Sequence, residues 1–498
     1  MLLRASRLSR RARRVAAIGV VVGVTLALAS TAFANVPIKV VKLDPYTNHD
    51  STVYHKTAVE PDTFSAGSTI VSTFQLGRYN DGGATNVGFA TSRNNGVSWR
   101  SNGLPNLTIN GVPPGPYHRA TDPGVTYDAQ DNVWMIVTLD SLATSGFTGN
   151  AVTVSRSTDG GATWGVPVTV KNASGFQSFD STWINCDNTS TSPHYGNCYV
   201  EWDDNGSGNI LHLSTSTDGG LTWHEATTPG SIVIGGKPVV QPNGTVVVPI
   251  DDGFASSAES FVSTDGGTSY SGPFSIASYQ IHGPAGSLRA LDILSTDVDA
   301  SGKIYVVWYD CRFRSGCSSN DIVMSTSTNG MTWTTPVRIP IDPTTSTDDH
   351  FIPGIAVKPG TSGSSAGLAL VYWFYPQANC TDTTCQLSYG YITSSTGGST
   401  WGTATQVFGP LGLHWIPFTV SGYMVGDYSS VSYVTGGTQT VFAAAQSSNC
   451  TQGGSPTCKM AMVAPKSPLP AAGPQFRAGH DRVATHLGHV RGELRSTY

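Results

Sequence analysis

Carboxylates, guanidinium groups and one tyrosine stand at regular places along this 498-residue chain. Arg119, Asp122, Asp180, Lys237, Arg289, Asp292, Asp349, His350, Asp427 and Tyr428 stand before or at the start of alternating strands. Asp140, Asp203, Asp204, Asp251, Asp252, Asp310 and Arg312 follow the apolar strand that comes next. Paired carboxylates can divide general acid and base work. Guanidinium forks hold anions and hydroxyls. Taken singly, each Asp equally suits a bond to nearby backbone. Taken together in one place, the set suits a polar ligand, above all a carbohydrate.

What could bring them together is a repeat. Its clearest mark is "STDGGATW" from Ser157, with "STDGGLTW" from Ser216 and "STDGGTSY" from Ser263. Looser copies are "SRNNGVSW" from Ser92, "STNGMTW" from Ser327 and "SSTGGSTW" from Ser394. A short Asp or Asn bonds backbone N–H groups just ahead, glycine supplies a positive φ, and the aromatic ring packs inward. This is a turn, not a catalytic site. An alternating strand precedes each turn, such as "AVTVSRS", and before it stands an apolar strand such as "NVWMIVTLD" or "GKIYVVWYD". A short stretch such as "TDPGVTYD" comes first. The unit is four strands, with the turn joining the third to the fourth.

First strands start near Thr57, Asp122, Asp180, Lys237, Asp292, His350 and Asp427, mostly ~55–65 residues apart. Such spacing predicts an all-β fold, a β-propeller of four-stranded blades. Seven starts favour seven blades; six follow if one unit is misread. The last unit, ending "CKMAMVAP", lacks a turn and a fourth strand. "VPIKVVKL", Val36 to Leu43, is expected to supply that strand and close the ring. Loops at the first-strand starts and second-strand ends then share one mouth.

The chain ends are different in kind. Residues 1–34 read as a secretory signal: arginines from Arg4 to Arg14, an apolar run from Val15 to Leu28, and Ala32-Phe33-Ala34 as a cleavage site. That run is short for a span, so no stable membrane insertion is expected. Residues 35–465 form the propeller, and 466–498 read as a disordered basic tail. Removing six leader arginines takes the formal charge from −5 to −11, and removing the tail's five bases and two acids leaves a core near −14. Nucleic acid is excluded as a partner on that charge. The expected protein is secreted and monomeric. Eight cysteines fall into local pairs, Cys186/Cys198, Cys311/Cys317, Cys380/Cys385 and Cys450/Cys458, which suits disulfides outside the cell, although eight allow 105 connectivities. No CxxC knuckle points to zinc. No metal or other cofactor is expected; the Asp203–Asn209 run suits a solvated turn or a Ca²⁺ loop.

The "S-x-D-G-G-x-T-W" turns resemble the Asp-boxes, or BNR repeats, of sialidases and their relatives, over roughly residues 37–465. "GKIYVVWYDCR", "FDSTWINCDN…HYGNCYVEW" and "GDYSS" are similar to bacterial sialidase-like proteins. The resemblance implies a secreted exo-glycosidase of the exo-α-sialidase type. That family holds a sugar carboxylate with three arginines, attacks with a Tyr assisted by a Glu, and protonates the leaving oxygen with an Asp. Carried over, Asp81 in "LGRYNDGG" is the acid, with Arg78 beside it, and Tyr428 the nucleophile, with Asp427 next to it. Arg119, Arg289 and Arg312 would bind an anionic group, with Asp122, Asp180, Asp292, Asp310 and His350 around the sugar. The first-blade Arg-Ile-Pro motif is replaced by "YHKTAVEP", and no glutamate, among Glu60, Glu201, Glu225 and Glu259, opens a central blade. Two alternatives stay open: a glycosidase using two mouth carboxylates, and a propeller that binds glycans or proteins without catalysis.

Overall fold

A computed structural model describes residues 40–42, 54–445 and 459–471. The expected leader, most of the expected tail and the pair Cys450/Cys458 lie outside the described residues. No described helix is long and apolar enough to cross a membrane.

Most described strands fall into antiparallel groups in chain order; further pairings join the first two groups and the last into one 12-stranded sheet, and Phe418–Thr419 pairs with Gly422–Tyr423 apart from them. Sheet 1 holds Tyr54–Ala66, Thr69–Arg78, Ala84–Ser92 and Arg100–Gly103. Sheet 2 holds Arg119–Asp128, Val133–Ser141, Ala151–Ser157 and Val168–Asn172. Sheet 3 holds Phe179–Cys186, Cys198–Asp204, Ile210–Ser216 and His224–Glu225, and sheet 4 holds Val239–Val240, Val246–Asp251, Ser257–Ser263 and Ser271–Ser278. Sheet 5 holds Ser295–Val298, Ile304–Asp310, Asp321–Ser327 and Val337–Arg338, and sheet 6 holds Asp349–Val357, Leu368–Tyr375, Gln386–Ser394 and Thr405–Gly412. Sheet 7 has Ser430–Val434, Gly437–Ala445 and Met460–Pro465, and Val40–Lys42 pairs antiparallel with the last of these.

The second strands are apolar because both faces are buried. Trp134 and Ile136 pack toward sheet 1, while the alternate residues Met135, Val137 and Leu139 pack toward sheet 3. The core is therefore a series of layers between neighbouring sheets. First strands pack side by side in chain order, and that of sheet 7 meets that of sheet 1. Polar pins join them. Asp62 accepts the Val125 N–H at 2.9 Å, Thr182 donates to the Asp122 carbonyl at 2.7 Å, and Ser430 Oγ accepts the Thr63 N–H at 3.0 Å.

The glycine-rich turns join third to fourth strands in sheets 1 to 6, as their spelling predicts. At one of them, Asp159 Oδ1 accepts the N–H groups of Ala162 and Thr163, each at 3.0 Å. Slight burial opposes ionisation there, but these bonds outweigh it and lower the carboxyl to about 2. Gly161 has φ 75°, and a Cβ on it would meet Val71 of sheet 1 at 2.7 Å. Turn geometry and sheet packing both demand glycine there.

Three local disulfides form: Cys186–Cys198, Cys311–Cys317 and Cys380–Cys385. The packed chain runs past the expected boundary at residue 465, since Leu469 exchanges backbone bonds of 2.8 and 2.9 Å with Thr438.

Candidate functional site

A repeated kink aims side chains out of the first strands. Glu60, Asp122, Ser181 and Ile352 all have φ between 47° and 56°, at register shifts in sheets 1, 2, 3 and 6. A left-handed bulge is costly for a residue with a Cβ, most of all for β-branched Ile352. Three of the four precede proline: Glu60-Pro61, Asp122-Pro123 and Ile352-Pro353. Proline has no N–H to lose from the ladder at such a break.

In the first three sheets these kinks point to a cavity of ≈ 220 Å³. Glu60, Asp81, Asp122, Asp180 and Asp427 line it, with Arg78, Lys237 and Arg289, Tyr428 and the half-buried Trp183. Gly426 is a glycine because a Cβ would press on the Glu60 backbone at 2.9 Å.

One network holds the acids. Gln75 Nε2 donates to Glu60 and, at 2.6 Å, to Thr121 Oγ1, which donates to Asp122 at 2.9 Å. Arg78 donates to Gln75 Oε1 at 3.0 Å. Burial, then the charges of Asp122 and Asp427, push Glu60 well above the usual carboxylate range. Burial and Asp427 raise Asp122 as well, and burial with Asp122 raises Asp180 to about 6. Asp427 is treated differently. Arg289 grips it with two parallel bonds, Nε to Oδ1 at 2.7 Å and Nη2 to Oδ2, a charge-assisted fork. The cavity thus holds carboxyls with raised proton affinity beside an ion-paired carboxylate.

Tyr428 is buried, and its hydroxyl donates to the Pro123 carbonyl at 3.2 Å. Burial, then Glu60, push it well above the ordinary tyrosine value. Its ring meets Trp183 edge to face, centroids 5.0 Å apart.

The expected residues divide. Arg78, Asp81, Asp122, Asp180, Arg289, Asp427 and Tyr428 line the cavity. Arg119 does not: its guanidinium holds Asp81 at 2.6 Å and stacks on Tyr79. Burial nudges Asp81 up, but Arg119 and the Gly146 N–H outweigh it and hold the carboxyl below its usual value. Asp310 and Arg312 are spent on each other, Nε to Oδ1 at 2.8 Å. Asp292 accepts the Tyr309 hydroxyl. His350 is wholly buried beside Tyr372 and Phe374, its Nδ1 3.0 Å from the Asn320 carbonyl. These four lie off the cavity because sheets 5 and 6 turn such groups into local bonds.

Glu60 was not among the expected site residues, and Lys237 was expected only as a member of the polar set at the mouth, with no role of its own. The signal for Glu60 was "VEP", which repeats the "TDP" of Asp122. Among the described residues, Asp321, Asp342 and His350 bring possible metal-ligating atoms within 4.8 Å. Arg314 and Arg338 already pair with Asp321, at 2.6 and 2.8 Å, and both also hold Asp342. At Asp203–Asn209, Asp204 accepts the Ser178 N–H at 2.9 Å and the Ser207 hydroxyl at 2.6 Å, the bonds of a turn.

No family model and no curated protein matches the sequence. Among solved structures, the chain is similar to a protein of unknown function from Dyadobacter fermentans DSM 18053, at 16% identity and a TM-score of 0.44, over 72% of this chain and 100% of that one. It is similar to the intramolecular trans-sialidase of Ruminococcus gnavus at 12% identity and a TM-score of 0.45, over 68% of this chain and 94% of that one. For Trypanosoma rangeli sialidase the identity is 13% and the TM-score 0.44, over 67% of this chain and 54% of that one. Likeness this distant leaves the chemistry to the residues themselves.

Proposed function

We propose that this chain is a secreted, glycan-acting protein. In this reading it is a seven-bladed, sialidase-like propeller, closed by its N-terminal strand, whose cavity takes one terminal sugar and hydrolyses its bond. The observation that carries the reading is the meeting of raised carboxyls, Glu60 and Asp122, with the ion-paired Asp427 in one cavity. Carboxyls held in such unlike surroundings divide acid and base roles in glycoside hydrolysis. The volume supports a single sugar unit, being below the ~300–1,000 Å³ of drug-sized sites.

The Glu60–Asp122 pair carries the proton for the leaving oxygen, in place of Asp81. Tyr428 or an ionised carboxylate attacks the sugar carbon, and Trp183 gives the ring an apolar wall. Because Asp427 fills the Arg289 fork, acids outnumber free cations, which favours a neutral sugar over an anionic one.

A panel of aryl glycosides, an α-sialoside included, tests this. Wild-type protein is expected to release phenol from a neutral member, faster on the acid side of neutrality. Glu60→Gln and Asp122→Asn are each expected to slow release ~10²–10⁴-fold. Full rates in both variants, or no release from any glycoside, contradict hydrolysis. One observation favours binding without catalysis: the Tyr428 hydroxyl is already spent on backbone. Retention on a glycan array without turnover would select that second reading.

A further inference from the structure

Lys237 stands just before the first strand of sheet 4 and is 4% exposed. Its Nζ lies 3.8 Å from the centre of the Trp183 ring and 5.4 Å from that of Tyr428. Among the described residues it makes no ion pair within 4.0 Å, and its Nζ makes no hydrogen bond. It also lines two spaces. One is the cavity described above. The other, of ≈ 440 Å³, is bounded by first-strand residues including Asp62, Asn185, Asp297 and Ser430. Trp183 and Lys237 are the only described residues that line both.

An ammonium buried without a counter-ion is disfavoured against the neutral amine. The Trp183 face offsets part of that cost. Burial prevails over the opposing charge of Asp62 and lowers the amine to about 8. About a tenth of it is then unprotonated at pH 7 and about a quarter at pH 7.5, where an ordinary lysine is almost wholly charged. A desolvated amine facing open space is a nucleophile.

We infer that Lys237 forms an imine with a small carbonyl compound, an aldehyde or a 2-oxo acid, that enters either cavity. The amine nitrogen bonds to the carbonyl carbon. The carbonyl oxygen leaves as water, carrying both amine hydrogens. No oxidant or reductant is needed, and the carboxyls of Glu60 and Asp122 in the first cavity can relay the protons.

The test needs no glycoside turnover, so it stands or falls apart from the proposed hydrolysis. Full-length protein is incubated at pH 7.5 with glycolaldehyde or with pyruvate, plus cyanoborohydride to trap the imine by hydride transfer. Nine lysines are then mapped by mass spectrometry. Lys237 is expected to be alkylated at least about tenfold faster than exposed Lys56 and Lys358. The two probes tell a neutral carbonyl from an anionic one. Alkylation of Lys237 no faster than Lys358 with both probes overturns the inference. Lys237→Met should lose the adduct and keep its melting temperature. If that variant fails to fold, wild-type protein labelled in urea serves instead: the advantage of Lys237 must vanish there, and its persistence would overturn a role for the fold.

Discussion

Arg289 and Asp427 are 138 residues apart in sequence and share two hydrogen bonds. Asp427 is 5% exposed, so the pair gains little from water. Removing either partner strands the other charge. Arg289→Met and Asp427→Asn are each expected to cost about 3 kcal/mol in urea unfolding; losses under about 0.5 kcal/mol would mean the pair is solvated. Both partners were legible in the sequence as members of a set, but their pairing was not, because nothing local records which sheets face each other. Glu60 was overlooked for a related reason. Its strand runs unbroken by composition, and only the Glu-Pro step marks the kink that turns the side chain into the cavity. His350, Asp310 and Arg312 had the right type and place in the repeat. Their local bonds to Asn320 and to each other took them out of the site.

Elements were easier to foresee than side chains. The turn sequence around Asp159 encodes its own hydrogen bonds, so six third-to-fourth strand connections could be placed by spelling alone. The fourth strands could not. In sheets 3 and 5 they shrink to two residues, His224–Glu225 and Val337–Arg338, because an outer strand needs few contacts and leaves a weak pattern. Val40–Lys42 answers the gap in sheet 7, with Val41 opposite Ala464. Deleting residues 36–43 would expose the edge of Met460–Pro465, a buried strand. The melting temperature is expected to fall by about 5 °C, with added aggregation. An unchanged melt would separate this strand from the stability of the fold.

At the scale of the whole molecule, the site is a product of assembly. Glu60 comes from sheet 1, Asp122 from sheet 2, and Asp427 from just before the first strand of sheet 7. Each acid raises Glu60 only if those segments meet. The sign follows from linkage. The folded state holds the Glu60 proton more tightly than the unfolded chain does, so this stabilisation is complete below the unfolded value and is lost as pH rises through the folded one. The chain has only five glutamates, Glu60, Glu201, Glu225, Glu259 and Glu493, so carboxyl signals from ¹³C-glutamate labelling can be resolved and assigned. A pH titration followed by NMR is then the most direct test. Glu60 is expected to titrate well above an ordinary glutamate, and to move down in Asp122→Asn and in Asp427→Asn. A Glu60 signal that titrates near the ordinary value of ~4.3, or that ignores both substitutions, would mean that the three segments do not converge.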